Sequence, residues 1–87
     1  MYKVEIKANV IKTLQKMDKT SAKHIFDWIE KNLIDIKNPR EIGKPLVGEL
    51  KGYWRYRVGK YRIIAKIKDE ILTIEIIKIA SRDKVYK

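Results

Sequence analysis

Three arginines within eight residues, Arg55, Arg57 and Arg62, stand where this chain could do chemistry. A guanidinium stays charged at any physiological pH and presents a planar fork that matches phosphate oxygens. From Lys51 to Lys68 there are seven basic residues and no acidic one, so the charge is concentrated in one segment. Within it, Gly59-Lys60 separates two strand-like runs and reads as a two-residue hairpin loop with glycine first. That loop pairs Val58 with Tyr61, Arg57 with Arg62, and Arg55 with Ile64. Alternation across a strand then places Trp54, Tyr56, Val58, Tyr61, Ile63, Ala65 and Ile67 on one face. Arg55, Arg57, Arg62 and Lys66 share the other. Two arginines directly opposite one another repel. A solvated charged face is the plain structural account of such a surface, but it would more naturally place Glu or Thr opposite Arg57. A bound phosphate is the natural occupant.

Further candidates flank this patch. Lys51, Lys60, Lys66 and Lys84 could contact a nucleic-acid backbone. Arg82 and Tyr86 follow the last strand-like run. If that strand neighbours the Arg62 strand, its exit lies near Gly59-Lys60, and Arg82 could close over the same patch. Tyr86 could donate a proton, orient a reacting group or stack on a base. His24, the only histidine, falls on a helix away from the patch, and Trp28 and Trp54 read as core or partner contacts. With no cysteine and one histidine a zinc site is not expected, and the glycines do not fit a phosphate-binding loop.

The elements that must position these residues follow from periodicity. Tyr2 to Lys7 alternates apolar and polar, as a half-buried strand does. Asn9 is a candidate cap for a short helix carrying Val10, Leu14 and Met17 inward. Thr20 or Ser21 would cap a second helix running to about Ile36, with Ala22, Ile25, Ile29, Leu33 and Ile36 on one stripe. Asn38-Pro39 stops it. Residues 39–52 hold both prolines and three of the four glycines and read as a connecting loop. Three strand-like runs follow, Tyr53–Val58, Tyr61–Lys68 and Ile71–Ile79, joined by Gly59-Lys60 and Asp69-Glu70. The second loop would place Glu75 beside Ile64 and Ile77 beside Arg62. Ala80–Lys87 reads as an irregular tail. The expected fold is α+β, strand–helix–helix followed by a three-strand antiparallel meander, with the helices on one sheet face.

With 87 residues, the chain is expected to form a single domain over 1–87. The formal net charge of +10 favours polyanions. Cysteine is absent, which suits a reducing compartment. No apolar run approaches the ~20 residues of a membrane span, and no signal-peptide core opens the chain, so a cytoplasmic location is expected. Attachment to a membrane surface fits poorly, because the basic residues alternate on strands instead of lining one helix.

The run Leu50-Lys51-Gly52-Tyr53-Trp54-Arg55-Tyr56-Arg57-Val58-Gly59-Lys60-Tyr61-Arg62-Ile63-Ile64 resembles the RelE/ParE toxin superfamily. Asn38-Pro39 and Lys44-Pro45-Leu46 precede it at fitting distances. The closing Ile79-Ala80-Ser81-Arg82-Asp83-Lys84-Val85-Tyr86 resembles that superfamily's C-terminal signature, and the likeness spans nearly the whole chain. The resemblance implies the toxin of a toxin–antitoxin pair. A RelE-type member is an mRNA interferase, a metal-independent endoribonuclease cutting mRNA in the ribosomal A site. No cofactor is implied, and the partners would be a cognate antitoxin, the ribosome and mRNA. It carries catalytic roles onto Arg55, Arg57, Arg62, Arg82 and Tyr86.

Three positions depart from the RelE pattern. Arg55 and Arg57 stand where lysines are familiar, and Ser81 stands where many relatives have histidine. Arginine does not usefully deprotonate, so the general base stays open among Glu49, Glu75 and Tyr86, with Glu49 preferred. A ParE-like toxin that inhibits DNA gyrase without cutting RNA would share the fold. A ribosome- or RNA-binding module without catalysis is the other alternative.

Overall fold

A computed structural model describes residues 1–81. The chain runs β1 (Lys3–Ile6), α1 (Ala8–Lys16), α2 (Lys19–Asn32), β2 (Lys44–Pro45), β3 (Trp54–Val58), β4 (Tyr61–Lys68) and β5 (Thr73–Ser81). The five strands form one sheet in the order β1-β5-β4-β3-β2. Strands β2 to β5 pair antiparallel, whereas β1 lies parallel to β5. The expected α+β architecture holds, with two helices on one sheet face.

Apolar spacing explains which face is covered. Val10 and Leu14 of α1 and Ile25 and Ile29 of α2 meet Tyr56, Val58, Ile63, Ala65, Ile74 and Ile76 in one buried cluster. Each fully buried side chain of this kind contributes roughly 1.5–3 kcal/mol. Trp54, Tyr61 and Ile67 pack against that cluster half-buried, so the derived inward face of β3 and β4 is the observed one.

The helix boundaries need correction. Lys7, not Asn9, is the first N-cap, and it makes no side-chain cap. Asn9 lies inside the helix, and its Nδ2 donates to the Ile77 carbonyl at 3.3 Å. Asp18, not Thr20 or Ser21, caps α2 by accepting from the Ser21 amide at 2.9 Å. That bond, first among its causes, holds the Asp18 carboxyl below its usual range. Helix α2 stops at Asn32, short of Ile36, and Asp35 turns the chain at φ 68. Ile36 still packs on the core.

Residues 39–52 are less open than a loop. Lys44 and Pro45 form β2 on Arg55 and Trp54. Trp54 Nε1 donates to the Ile42 carbonyl at 2.7 Å, and the Tyr56 hydroxyl donates to the Pro39 carbonyl at 2.6 Å. At Gly43, with φ +80, an added Cβ would lie 2.4 Å from the Arg55 carbonyl oxygen, so only glycine permits this approach.

The second hairpin also differs from expectation. Asp69–Ile71 forms a 3-10 turn and Leu72 follows in the left-handed region at φ 48, so Lys68 pairs with Thr73. Further along, Ala65 pairs with Ile76 and Ile64 with Lys78, which leaves Ile77 as a bulge. Glu75 therefore lies beside Lys66 instead of Ile64, and Ala80 rather than Ile77 lies beside Arg62. The strand also continues through Ser81, where an irregular tail was expected.

Candidate nucleic-acid interface

The first hairpin positions the arginines as derived. Gly59 adopts φ 59, which glycine takes without penalty, and Lys60 completes the turn. Val58 then pairs with Tyr61, Arg57 with Arg62, and Arg55 with Ile64. Arg57 is exposed and Arg55 half-buried, while Arg62 is buried at 6% exposure. The two members of the cross-strand pair thus stand in different surroundings. One cation is solvated, and the other is held within the protein, where charge–charge interactions are less screened.

Two lysines that the sequence reading passed over join this face through strand pairing. Lys44 lies opposite Arg55 and Lys78 opposite Ile64. Ile64 itself is buried although it lies on the face away from the helices. The open face around the arginines is therefore cationic around an aliphatic centre. The signal for Lys44 was its position just before Pro45 in a segment that looked like loop. The bulge at Ile77 hid Lys78, because without it the residue would point at the helices.

The other candidates are less concentrated. Lys60 stands at the hairpin tip with its Nζ 5.7 Å from the Tyr61 ring centre. Lys66 shares the face but is four residues along β4 from Arg62, opposite Glu75. Glu75 is engaged by Lys68 at 3.2 Å, which weakens its case as a general base. Glu49 lies in a 3-10 turn at Gly48–Leu50, followed by Lys51, and both are exposed. This turn precedes the Trp54 end of β3, whereas Arg57 lies toward the Gly59 end. The structure does not bring Glu49 to the Arg57–Arg62 pair. Arg82, Lys84 and Tyr86 lie outside the described residues. Ser81, the last described residue, pairs with Tyr61, so the described end of β5 lies beside the Gly59-Lys60 turn.

His24 is closer than expected, sharing a groove of about 220 Å³ with Gly59 and Lys60. Tyr56 is fully buried behind the arginines, and burial pushes its hydroxyl far above the ordinary tyrosine range. It is a structural donor to Pro39, not an acid. Among the described residues, no group of three His, Cys, Asp or Glu could hold a metal ion, and no helix is long and apolar enough to cross a membrane.

Comparison with known proteins places this geometry. The family described as ParE toxin of type II toxin–antitoxin system, parDE, matches residues 4–86. Toxin RelE of Mycobacterium tuberculosis (strain ATCC 25618 / H37Rv) is 34% identical over 86 residues, covering 99% of this chain and 87% of the relative. Toxin RelG of the same strain is 37% identical over 51 residues, 59% of each chain. Among solved structures, a chain of the M. tuberculosis RelBE2 toxin–antitoxin complex superposes with a TM-score of 0.82 at 28% identity, covering 93% of this chain and 91% of that one. A chain of the archaeal RelE–RelB complex of Pyrococcus horikoshii OT3 gives 0.71 at 29%, covering 95% and 97%. The isolated E. coli RelE toxin, at 16% identity and a TM-score of 0.70 over 99% of this chain and 92% of that one, shares the fold.

Proposed function

The chain belongs to the ParE toxin family of type II toxin–antitoxin systems, and from that premise we propose that it is a RelE-type toxin that cuts RNA. The observation that carries this is the pairing of Arg57 directly with Arg62. Two guanidiniums in register concentrate positive charge at one point of the face, and such a point attracts an anion. A phosphodiester supplies that anion, and its charge grows in the transition state of cleavage, where preorganised donors act most strongly.

The reaction is attack of a ribose 2′-oxygen on the adjacent phosphorus. The new P–O bond closes a 2′,3′-cyclic phosphate, the bond to the 5′-oxygen breaks, and that oxygen leaves as a hydroxyl. Arg55, Arg57 and Arg62 neutralise the phosphate, while Arg82 and Tyr86 serve the leaving oxygen. Tyr86 supplies its proton, and the 2′-proton passes to a base, for which Glu49 is the candidate if its turn closes toward the patch. Lys51, Lys60, Lys66 and Lys84 follow the RNA backbone. The substrate is mRNA in the ribosomal A site, the compartment is the cytoplasm, and a cognate antitoxin covers the basic face. The RelB-bound neighbours support that last partner.

One observation favours a second reading. The matched family carries the ParE description, and a toxin binding DNA gyrase without cutting RNA would have this fold. Primer extension on cellular mRNA after brief induction separates the two. New in-frame ends within translated regions are expected for the wild type. Arg62→Ala should lower their yield about 10²–10³-fold, the usual effect of removing one such donor, and Arg82→Ala similarly. Arg62→Lys, and circular dichroism of each variant, control for the burial of Arg62. Growth arrest with intact transcripts would overturn the nuclease reading and send the protein to a gyrase supercoiling assay.

A further inference from the structure

Strand β2 covers only the first part of the β3 edge. Lys44 and Pro45 pair with Arg55 and Trp54, and among the described residues no strand lies beside Tyr56, Arg57 and Val58 on that side. A groove of about 450 Å³ runs along this open edge. Trp28, Asn32 and Ile42 line one part of it, and Lys44, Arg55 and Arg57 line another. Its two walls therefore differ in chemistry: one aromatic and aliphatic with an amide, one tricationic.

We propose that this groove is a subsite for one unpaired base of single-stranded RNA, stacked on Trp28 and delivering its phosphate to Arg55 and Arg57. The inference rests on the ribonuclease reading, because two of its cations are those of the scissile-phosphate patch. A nucleotide of a single strand has the matching polarity, with a π-face at one end and an anionic phosphodiester at the other. Base–aromatic stacking with a cationic track beside it is how single strands are held without sequence readout.

The aromatic wall is braced before any ligand arrives. Trp28 is half-buried against the core, lines the groove, and packs at 5.8 Å and 50° on the ring of Tyr56. Tyr56 is in turn fixed by its hydrogen bond to Pro39. A wall already held in one rotamer loses little entropy on binding. Asn32 donates its Nδ2 to the Trp28 carbonyl at 3.0 Å, which leaves Oδ1 as its acceptor for a base edge. Gly43 lets the connector sit against β3 and so closes the end of the groove nearest Lys44.

An added peptide strand fits less well. The free edge offers only Tyr56–Val58, shorter than the ~5–6 residues of an ordinary strand, and β2 already occupies the rest.

The test uses Trp54→Phe protein, in which Trp28 is the sole tryptophan. The probe is a labelled short RNA made uncleavable by 2′-deoxy substitution, with binding read by anisotropy and Trp28 read by its fluorescence. Binding should quench Trp28. An abasic residue at one position of the oligonucleotide should abolish the quench and weaken binding about 5- to 150-fold, the range for loss of one stacked base. Trp28→Leu should weaken the intact oligonucleotide to a similar degree in otherwise wild-type protein, whereas Trp28→Phe should largely preserve it. Oligonucleotide bound with Trp28 unquenched, and equal affinity in Trp28→Leu, would overturn the subsite and leave the nuclease reading standing. No RNA binding at all would remove both. Quenching by an acidic peptide such as oligoglutamate, but not by RNA, would make the groove a protein-docking site and overturn the proposal.

Discussion

The two hairpins of the sheet solve opposite problems. The β3–β4 hairpin turns in two residues, Gly59 and Lys60, and keeps uninterrupted register from Val58–Tyr61 to Trp54–Ala65. The β4–β5 hairpin turns through Asp69 to Leu72 and breaks register at Ile77. The first must hold two like charges opposite each other, so any slip would move an arginine off the site face. The second must reconcile a sequence with its own pleat. Ile74, Ile76 and Ile79 are all buried in the core, a spacing that strict alternation cannot provide. One extra residue re-phases the strand, sending Ile79 inward and Lys78 outward beside Ile64. Rigidity in one hairpin places the charge. Irregularity in the other completes both the core and the cationic face.

Breaking the first turn should have the largest effect on this contrast. Gly59 sits at φ 59, where a β-branched residue is strained. Gly59→Val should lower stability by about 2 kcal/mol, read as a lower urea midpoint with unchanged slope. Gly59→Asn, which tolerates the same conformation, should lie near wild type. Equal midpoints for Val and glycine would show that the strands, not the turn, hold Arg57 opposite Arg62.

The bulge can be removed in a way that leaves every face unchanged. Deleting Ile77 brings Lys78 directly after Ile76, so Lys78, Ile79 and Ala80 keep their partners Ile64, Ile63 and Arg62 in a regular ladder. What is lost is the local bend and the hydrogen bond from Asn9 to the Ile77 carbonyl. The deletion should fold and cost on the order of 1 kcal/mol. If it fails to fold, the bend itself is required for β5 to meet α1.

This contrast also explains what the sequence made legible. A two-residue glycine turn carries its register with it, so the Arg57–Arg62 pair and the inward face of β3 could be derived from spacing alone. The second turn has no glycine: Leu72 takes the left-handed position, and nothing in Asp69-Glu70 announces four residues instead of two. The bulge is set by tertiary demand for Ile79, and local pattern does not display it. Asp18 does not stand out as a cap in the sequence, because Ser21 nearby has equal propensity and Thr20 only somewhat less. Lys44 and Trp28 reach the basic patch only through the fold of residues 39–52, whose short β2 depends on long-range pairing. Arg82, Lys84 and Tyr86, candidates from their place after the last strand-like run, lie outside the described residues.

The turn of the second hairpin also carries the smallest effect, through Asp69. Its carboxylate takes both Arg40 guanidinium nitrogens at 3.0 Å and the Tyr2 hydroxyl at 2.7 Å. The Arg40 bonds first, then Tyr2, hold the Asp69 carboxyl below its usual range. The turn is thereby tied to the residue before β1 and to the connector before β2. A carboxyl depressed in the folded state stabilises fully above its unfolded value, near ~3.9, and that contribution fades as pH falls through the lower folded value. Wild type should therefore lose slightly more stability than Asp69→Asn between pH 6 and pH 3. With Arg40 and Asp69 side chains 44% and 53% exposed, water screens the pair, and exposed pairs contribute about 0.2–1 kcal/mol at most. Urea midpoints at the two pH values, repeated in 1 M salt, check this. The gap between the two proteins should close in salt, where the screening length falls to about 3 Å. A gap that survives would mean the clasp acts through its hydrogen-bond geometry, making the second turn as tightly specified as the first.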